Sequence, residues 1–129
     1  MNESASPPEI LVLESSAEVR RVLEEGLSMH GYRVTSVATA PEALDLLRSR
    51  DFDLLIGAPA ASDRWPPGTL GPVHEEFPDI LSVVVAGDAF DMAVLGGTTG
   101  GPAPRRRLLR KPFTLGELVT LSRAALASR

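Results

Sequence analysis

Cysteine is absent from the 129 residues, which removes a thiolate nucleophile, a disulfide framework, an iron–sulfur cluster and the usual structural zinc sites together. The two histidines, His30 and His74, stand far apart with no carboxylate pattern typical of zinc, and both read as structural or solvated. The stretch Gly96-Gly97-Thr98-Thr99-Gly100-Gly101 lacks the strand-then-helix context and the Lys-Ser/Thr pair of a phosphate cradle, so it reads as a flexible linker. A basic run, Arg105-Arg106-Arg107-Leu108-Leu109-Arg110-Lys111, has two readings. It is either a contact for an acidic partner or a phosphate, or a charged border that keeps an edge strand from pairing with another chain. What remains is a set of carboxylates and one hydroxyl, Glu14, Ser15, Asp53, Asp63 and Asp88, whose use depends on where the fold puts them.

The elements that must position them follow from pattern. Ile10 to Leu13 is an apolar run of strand length that stops at Glu14-Ser15-Ser16. Ser15 and Glu18 have capping-box spacing and predict a helix, with Val19, Val22, Leu23, Leu27 and the methylenes of Met29 inward and His30-Gly31 as its stop. Tyr32 to Val37 predicts a second strand. Thr39 and Glu42 form a second capping box with Pro41 in the first turn, and Ala43, Leu44 and Leu47 face inward until about Arg50. Phe52 to Ile56 predicts a third strand. Gly57 to Pro72 is loop-like, with Leu70, Val73 and Phe77 marking a short helix after it. Ile80 to Ala86, rich in β-branched residues, predicts a central strand buried on both faces. Ala89 to Leu95 has room for about two helical turns, with Asp88 as N-cap. An edge strand is expected around Leu108 and Leu109, closed by Pro112. Last, Thr114 and Glu117 form a third capping box, with Phe113 and Leu118 at staple positions and Leu121 and Ala124 on the inward face.

Strands alternating with helices imply an α/β fold, a doubly wound parallel sheet in three layers, α/β/α, with five strands. Ligands of such sheets sit beyond the carboxyl ends of the strands. Asp53, at the start of the third strand, is at the wrong end. The composition narrows the function further. Hydrophobic residues at 43% and charged residues at 23% are ordinary for a globular domain and fit neither a disordered chain nor a coiled coil. Aromatics at 5% and a net charge of −4 are unsuited to a basic stacking groove, so no nucleic-acid partner is expected. No apolar run approaches the ~20 residues that span a bilayer. Met1 to Glu9 carries two acids, Glu3 and Glu9, and no basic residue, unlike a signal peptide, so the expected compartment is the cytoplasm. Residues 1–8 read as a disordered leader and 9–127 as a single domain.

Several motifs in this order resemble the receiver domain of two-component response regulators, from about Ile10 to Leu126. Ile10-Leu11-Val12-Leu13 with the polar cluster and Val19-Arg20 is similar to a receiver's first strand and helix. His30-Gly31-Tyr32-Val34 and Ala40-Glu42-Ala43-Leu44-Leu47 are similar to its second strand and helix, and Phe52-Asp53-Leu54-Leu55 to its third strand. Lys111-Pro112-Phe113 with Leu115 and Glu117-Leu118 resembles its late motif. The resemblance implies a flavodoxin-like sheet of strand order 2-1-3-4-5.

A working receiver ends its first strand in an acidic pair, its third in a phosphoacceptor aspartate, its fourth in Thr or Ser and its fifth in Lys. Clustered carboxylates bind Mg²⁺, the metal neutralises the phosphoryl oxygens, Lys adds positive charge, and the hydroxyl reads the product. Carried over, these positions are Glu14 and Ser15 for the acidic pair, Ala58 for the phosphoacceptor, Gly87 for the hydroxyl and Lys111 for the lysine, with Leu108 at the position of the switch ring. Only Lys111 is unchanged. The expectation is a degenerate phosphorylation site with no metal, no cofactor and no catalysis. Lys111 is then either a partner of Glu14, in a pair contributing ~0–1 kcal/mol, or a solvated lysine.

The resulting expectation is a pseudo-receiver, a phosphorylation-independent protein–protein interaction module of bacterial signalling. Its contact face would be the fourth helix, fifth strand and fifth helix, with Arg105, Arg106, Arg107, Leu108 and Arg110 as candidate contacts. Two alternatives stay open: phosphotransfer through a displaced acceptor, Asp63, and sensing of a small anion in the emptied pocket around Ala58, Gly87 and Lys111. A homodimer is compatible with the same face, and an effector domain beyond Arg129 is left open.

Overall fold

A computed structural model of the protein describes residues 6–58, 73, 75–86, 106–110 and 112–128. In the first strand, β1 (Glu9–Glu14), Ile10, Leu11, Val12 and Leu13 are all withdrawn from solvent, so both faces of this strand need cover. It receives a neighbour on each edge. Parallel pairing with β2 (Arg33–Val37) sets Ile10 opposite Val34, and parallel pairing with β3 (Leu54–Ala58) sets Ile10 opposite Leu54. β4 (Ser82–Ala86) and β5 (Arg106–Arg110) extend the sheet, giving the order β2-β1-β3-β4-β5. Alternate residues then divide the core. Ile10, Val12, Leu54, Ile56 and Val83 face α1 (Ala17–Met29) and α3 (Leu115–Ala127), while Leu11, Leu13, Leu55 and Val84 face α2 (Ala40–Ser49) and Val73.

The expected strand order, three layers and edge position of β5 are present. Two of the three capping boxes form: Thr39 with Glu42, and Thr114 with Glu117, each with reciprocal hydrogen bonds. The third does not. The N-cap of α1 is Ser16, whose Oγ accepts from the Val19 N–H at 3.3 Å, so no carboxylate occupies the reciprocal position. The helix starts one residue later than expected because Glu14 and Arg20 tie down the preceding backbone.

The buried face of α1 is also narrower than its sequence predicts. Leu23, Gly26 and Leu27 are buried, whereas Val19, Val22 and Met29 are exposed. At about 100° per residue Val22 and Met29 lie more than about 100° from the Leu23–Leu27 axis, beyond the reach of the sheet. On α3 the inward row is Leu118, Ser122 and Ala125, with Val119 and Leu126 beside it; Leu121 packs against the margin of the core as expected, whereas Ala124 is exposed. The staple residues Phe113 and Leu118 both pack into the core and fix the entry angle, and a serine then falls in the middle of the inward row. β3 runs two residues later than expected, because Gly57 and Ala58 continue the pairing with Leu13 and Glu14. Pro8, placed in the leader by sequence, already accepts from the Arg33 N–H at 2.9 Å. The expected helix over 89–95 and the 96–101 loop lie outside the described residues.

α1 ends in a closed turn in which Gly31 N–H bonds the Ser28 carbonyl and Tyr32 N–H bonds the Leu27 carbonyl. Gly31 has φ +91°, and a side chain there would meet nothing within 4 Å, so its requirement is purely one of backbone conformation. Gly31→Ala is therefore expected to lower unfolding stability by about 1 kcal/mol, and Gly31→Asn by less, as read from urea titration midpoints.

Candidate functional site

The carboxyl ends of β1 and β3 meet at one pair of residues. Glu14 and Ala58 are register partners, each closing its strand. One strand further, Ala86 ends β4 opposite Arg110, which ends β5, so the residues preceding Gly87 and Lys111 stand at the same edge of the sheet. Gly87 and Lys111 themselves lie outside the described residues, as do Asp63, Asp88, His74 and Arg105.

Glu14 is 7% exposed, and a buried carboxylate requires hydrogen-bond donors. The backbone provides one: Ser16 N–H donates to Glu14 Oε2 at 2.8 Å. Arg20 supplies a second restraint at the same corner. Its Nη1 donates to the Glu14 carbonyl at 2.7 Å and to the Ser15 carbonyl at 3.2 Å. Arg20 reaches back from the first turn of α1 to the carbonyls of Glu14, at the end of β1, and of Ser15 just beyond it. The available signal was position: an arginine four residues into a helix that follows directly on a buried strand. Ser15 itself is exposed.

The neighbouring corner between β2 and α2 is held by another carboxylate. Glu42 Oε1 accepts from the Ala38 and Thr39 N–H groups, both at 3.1 Å, and from Thr39 Oγ1 at 3.1 Å. These donors, the Ala38 amide first, hold the Glu42 carboxyl below its ordinary 4.5, with the Arg20 charge adding a smaller pull in the same direction.

Asp53 is at the opposite end of the sheet, where its Oδ2 accepts from the Glu9 N–H at 2.8 Å. Arg50 closes that end, lying 4.7 Å from the centre of the Phe52 ring and donating to Thr35 Oγ1 at 2.8 Å. Nearby, Arg48 grips Glu76 through two bonds of 2.6 Å, which hold the Glu76 carboxyl below 4.5. These groups anchor loops.

In the basic run, Arg107 has a structural role. Its Nη2 donates to Ser128 Oγ at 3.1 Å, and Ser128 caps α3, whose last turn has no basic residue of its own. The cation thus stands at the negative end of that helix. Arg110 is exposed. Beside β5 an open groove of about 660 Å³ is lined by Leu109, Thr120, Leu121 and Ala124. Among the described residues no group of three or more His, Cys, Asp or Glu side chains could hold a metal ion, and no helix is long and apolar enough to cross a membrane.

No protein-family model matches the chain, and no curated protein matches it. Solved structures do. The chain is similar to the signal receiver domain of an HD domain-containing protein from Pseudomonas fluorescens, with 29% identity over 96% of this chain and 90% of that one and a TM-score of 0.76. It is similar also to a response regulator receiver protein from Sinorhizobium medicae, with 25% identity over 95% and 96% of the two chains and a TM-score of 0.75. A structure described as adenylate cyclase from Rhodopirellula baltica, 17% identical over 94% and 88% with a TM-score of 0.77, shares the fold. The five-stranded sheet in the order 2-1-3-4-5, flanked by helices, is the receiver, flavodoxin-like fold.

The Glu42 geometry sets a pH dependence. A carboxyl held low in the folded state contributes stability that is complete above 4.5 and is lost as pH falls through the lower folded value. Glu42→Gln is expected to unfold at lower urea than the unchanged chain at pH 7, with the gap closing below pH 4.5. The Glu14–Ala58 pairing sets another expectation. Carboxylates added by Ser15→Asp with Ala58→Asp stand beside Glu14, so their mutual repulsion lowers the melting temperature and Mg²⁺ restores it. The unchanged chain is expected to show no change in melting temperature with Mg²⁺. A double variant equally indifferent to Mg²⁺ would show that the strand ends do not bring these side chains together.

Proposed function

We propose that the chain is a receiver-type module of two-component signalling that takes no phosphoryl group, catalyses no reaction and works in the cytoplasm by contact with a partner protein. The receiver fold supports a response regulator signalling role. The observation that carries the finer reading is the pairing of Glu14 with Ala58 at the ends of β1 and β3. In a receiver this is where one carboxylate of the acidic pair faces the phosphoacceptor. Here a methyl group occupies the acceptor position, and alanine has no oxygen with which to attack phosphorus.

The remaining carboxylate has a local use that supports the same reading. Glu14 accepts from the Ser16 amide, and Ser15 offers a neutral hydroxyl as its neighbour. A Mg²⁺ site without substrate phosphates needs more anionic oxygens than one carboxylate presents. With the switch hydroxyl position occupied by Gly87 and the ring position by Leu108, a phosphoryl group would have no mobile reader. Regulation then rests on whether the partner is bound, and on its concentration.

The test is incubation with acetyl phosphate and Mg²⁺ followed by intact-mass measurement. The expected result is an unchanged mass. Gain of one phosphoryl group overturns the proposal, and peptide mapping of that group to Asp63 would assign a displaced acceptor.

A further inference from the structure

At the amino ends of the strands, opposite the Glu14–Ala58 edge, the end of α2 and the Glu76–Ile80 segment border an open cavity of about 340 Å³. That size admits a small molecule. Its floor is apolar. Leu47 is buried there, and Phe52, Phe77 and Ile80, which also line the cavity, are only partly covered by the α2 layer.

The rim is charged, and its charges are unequally engaged. Arg48 grips Glu76 through two bonds of 2.6 Å, so those two offset each other. Arg50 lies over the Phe52 ring, donates to Thr35 Oγ1 and stands 3.9 Å from Glu9 Oε1. Asp51 and Asp79 line the same cavity, and both are exposed with no ion pair or hydrogen bond among the described residues. The C-terminus of α2 ends at this rim and adds partial negative charge.

We propose that this cavity binds a small organic cation, an amidinium, guanidinium or ammonium head carried on a flat apolar body. The body covers the apolar floor and releases the water there. The head stays at the rim, where Asp51 and Asp79 supply carboxylates that no described residue pairs. Phe77 adds to the selection, because the face of an aromatic ring attracts a cation, as the Phe52 ring already does for Arg50. An anion meets the opposite conditions: the Arg50 Nη2 is occupied by Thr35, and both unpaired carboxylates repel it. None of these residues stands at the Glu14–Ala58 edge. A phosphoryl group gained at that edge would overturn the proposed function and leave this site standing, and failure of this site leaves the proposed function as it is.

The test titrates three probes into the isotopically labelled full-length chain: benzamidine, benzoate, which has the same ring with the opposite charge, and methylguanidine, which has the head without the ring. Benzamidine is expected to shift the amide resonances of Arg50, Asp51, Phe52, Phe77 and Asp79, and to bind at least about ten-fold more tightly than either of the others. Asp51→Asn with Asp79→Asn removes the preference for benzamidine over benzoate while the remaining amide spectrum is kept. Equal binding of benzamidine and benzoate, shifts that map away from the cavity, or a preference that survives the double substitution would each overturn the proposal. Methylguanidine binding as tightly as benzamidine would overturn it as well, since the apolar floor would then take no part.

Discussion

Four successive residues of β1, Ile10 to Leu13, are withdrawn from solvent on both faces at once, and this can be met only by a strand with neighbours on either edge and helices above and below. The constraint propagates. Pairing with β2 and β3 aligns all three strands in parallel, each connection crosses over through a helix, and the carboxyl ends arrive together at one edge. The juxtaposition of Glu14 with Ala58 follows from the register that buries Ile10 and Val12 against one layer and Leu11 and Leu13 against the other. A shift of one residue would exchange the two faces and move Glu14 to a new partner.

That edge is held by groups that satisfy one another locally. The Glu14 carboxylate takes the Ser16 amide, Arg20 takes the last carbonyls of β1, and Glu42 takes the amides of the next corner. Each of these bonds joins residues no more than six apart in the chain. A switch needs an element that trades partners between two states; short-range bonds of this kind fasten each loop to its own helix.

Much of this was legible in the sequence, and the misses have particular causes. Apolar runs and reciprocal capping spacings located β1, β4, α2 and α3, because those signals act within a few residues. The same spacing misled at Ser15 and Glu18, where a buried carboxylate and an arginine from the next turn decided which serine caps the helix. β3 was cut short because Gly57 and Ala58 have little strand preference of their own and are held by pairing with β1. Ser122 was passed over for an inward position because a hydroxyl gives no apolar signal, although the staple at Phe113 and Leu118 turns it toward the core. Arg107 looked like part of a uniform basic run until Ser128, 21 residues away, was found to hold its guanidinium. Ala58 was placed by motif alone, and its register partner is a property of the sheet.

The division of the core has a consequence for the order in which the molecule can be completed on the ribosome. The layer around α2 draws its buried residues from Leu11 to Val84, whereas the layer around α1 needs Leu118, Val119, Ala125 and Leu126. One side of the sheet can therefore close well before synthesis ends. The other is covered only in part, by α1, until α3 has emerged and Leu115 has settled over Gly26, so for that interval the β4 side of this face, with Val83, is open to chaperones or to a neighbouring nascent chain.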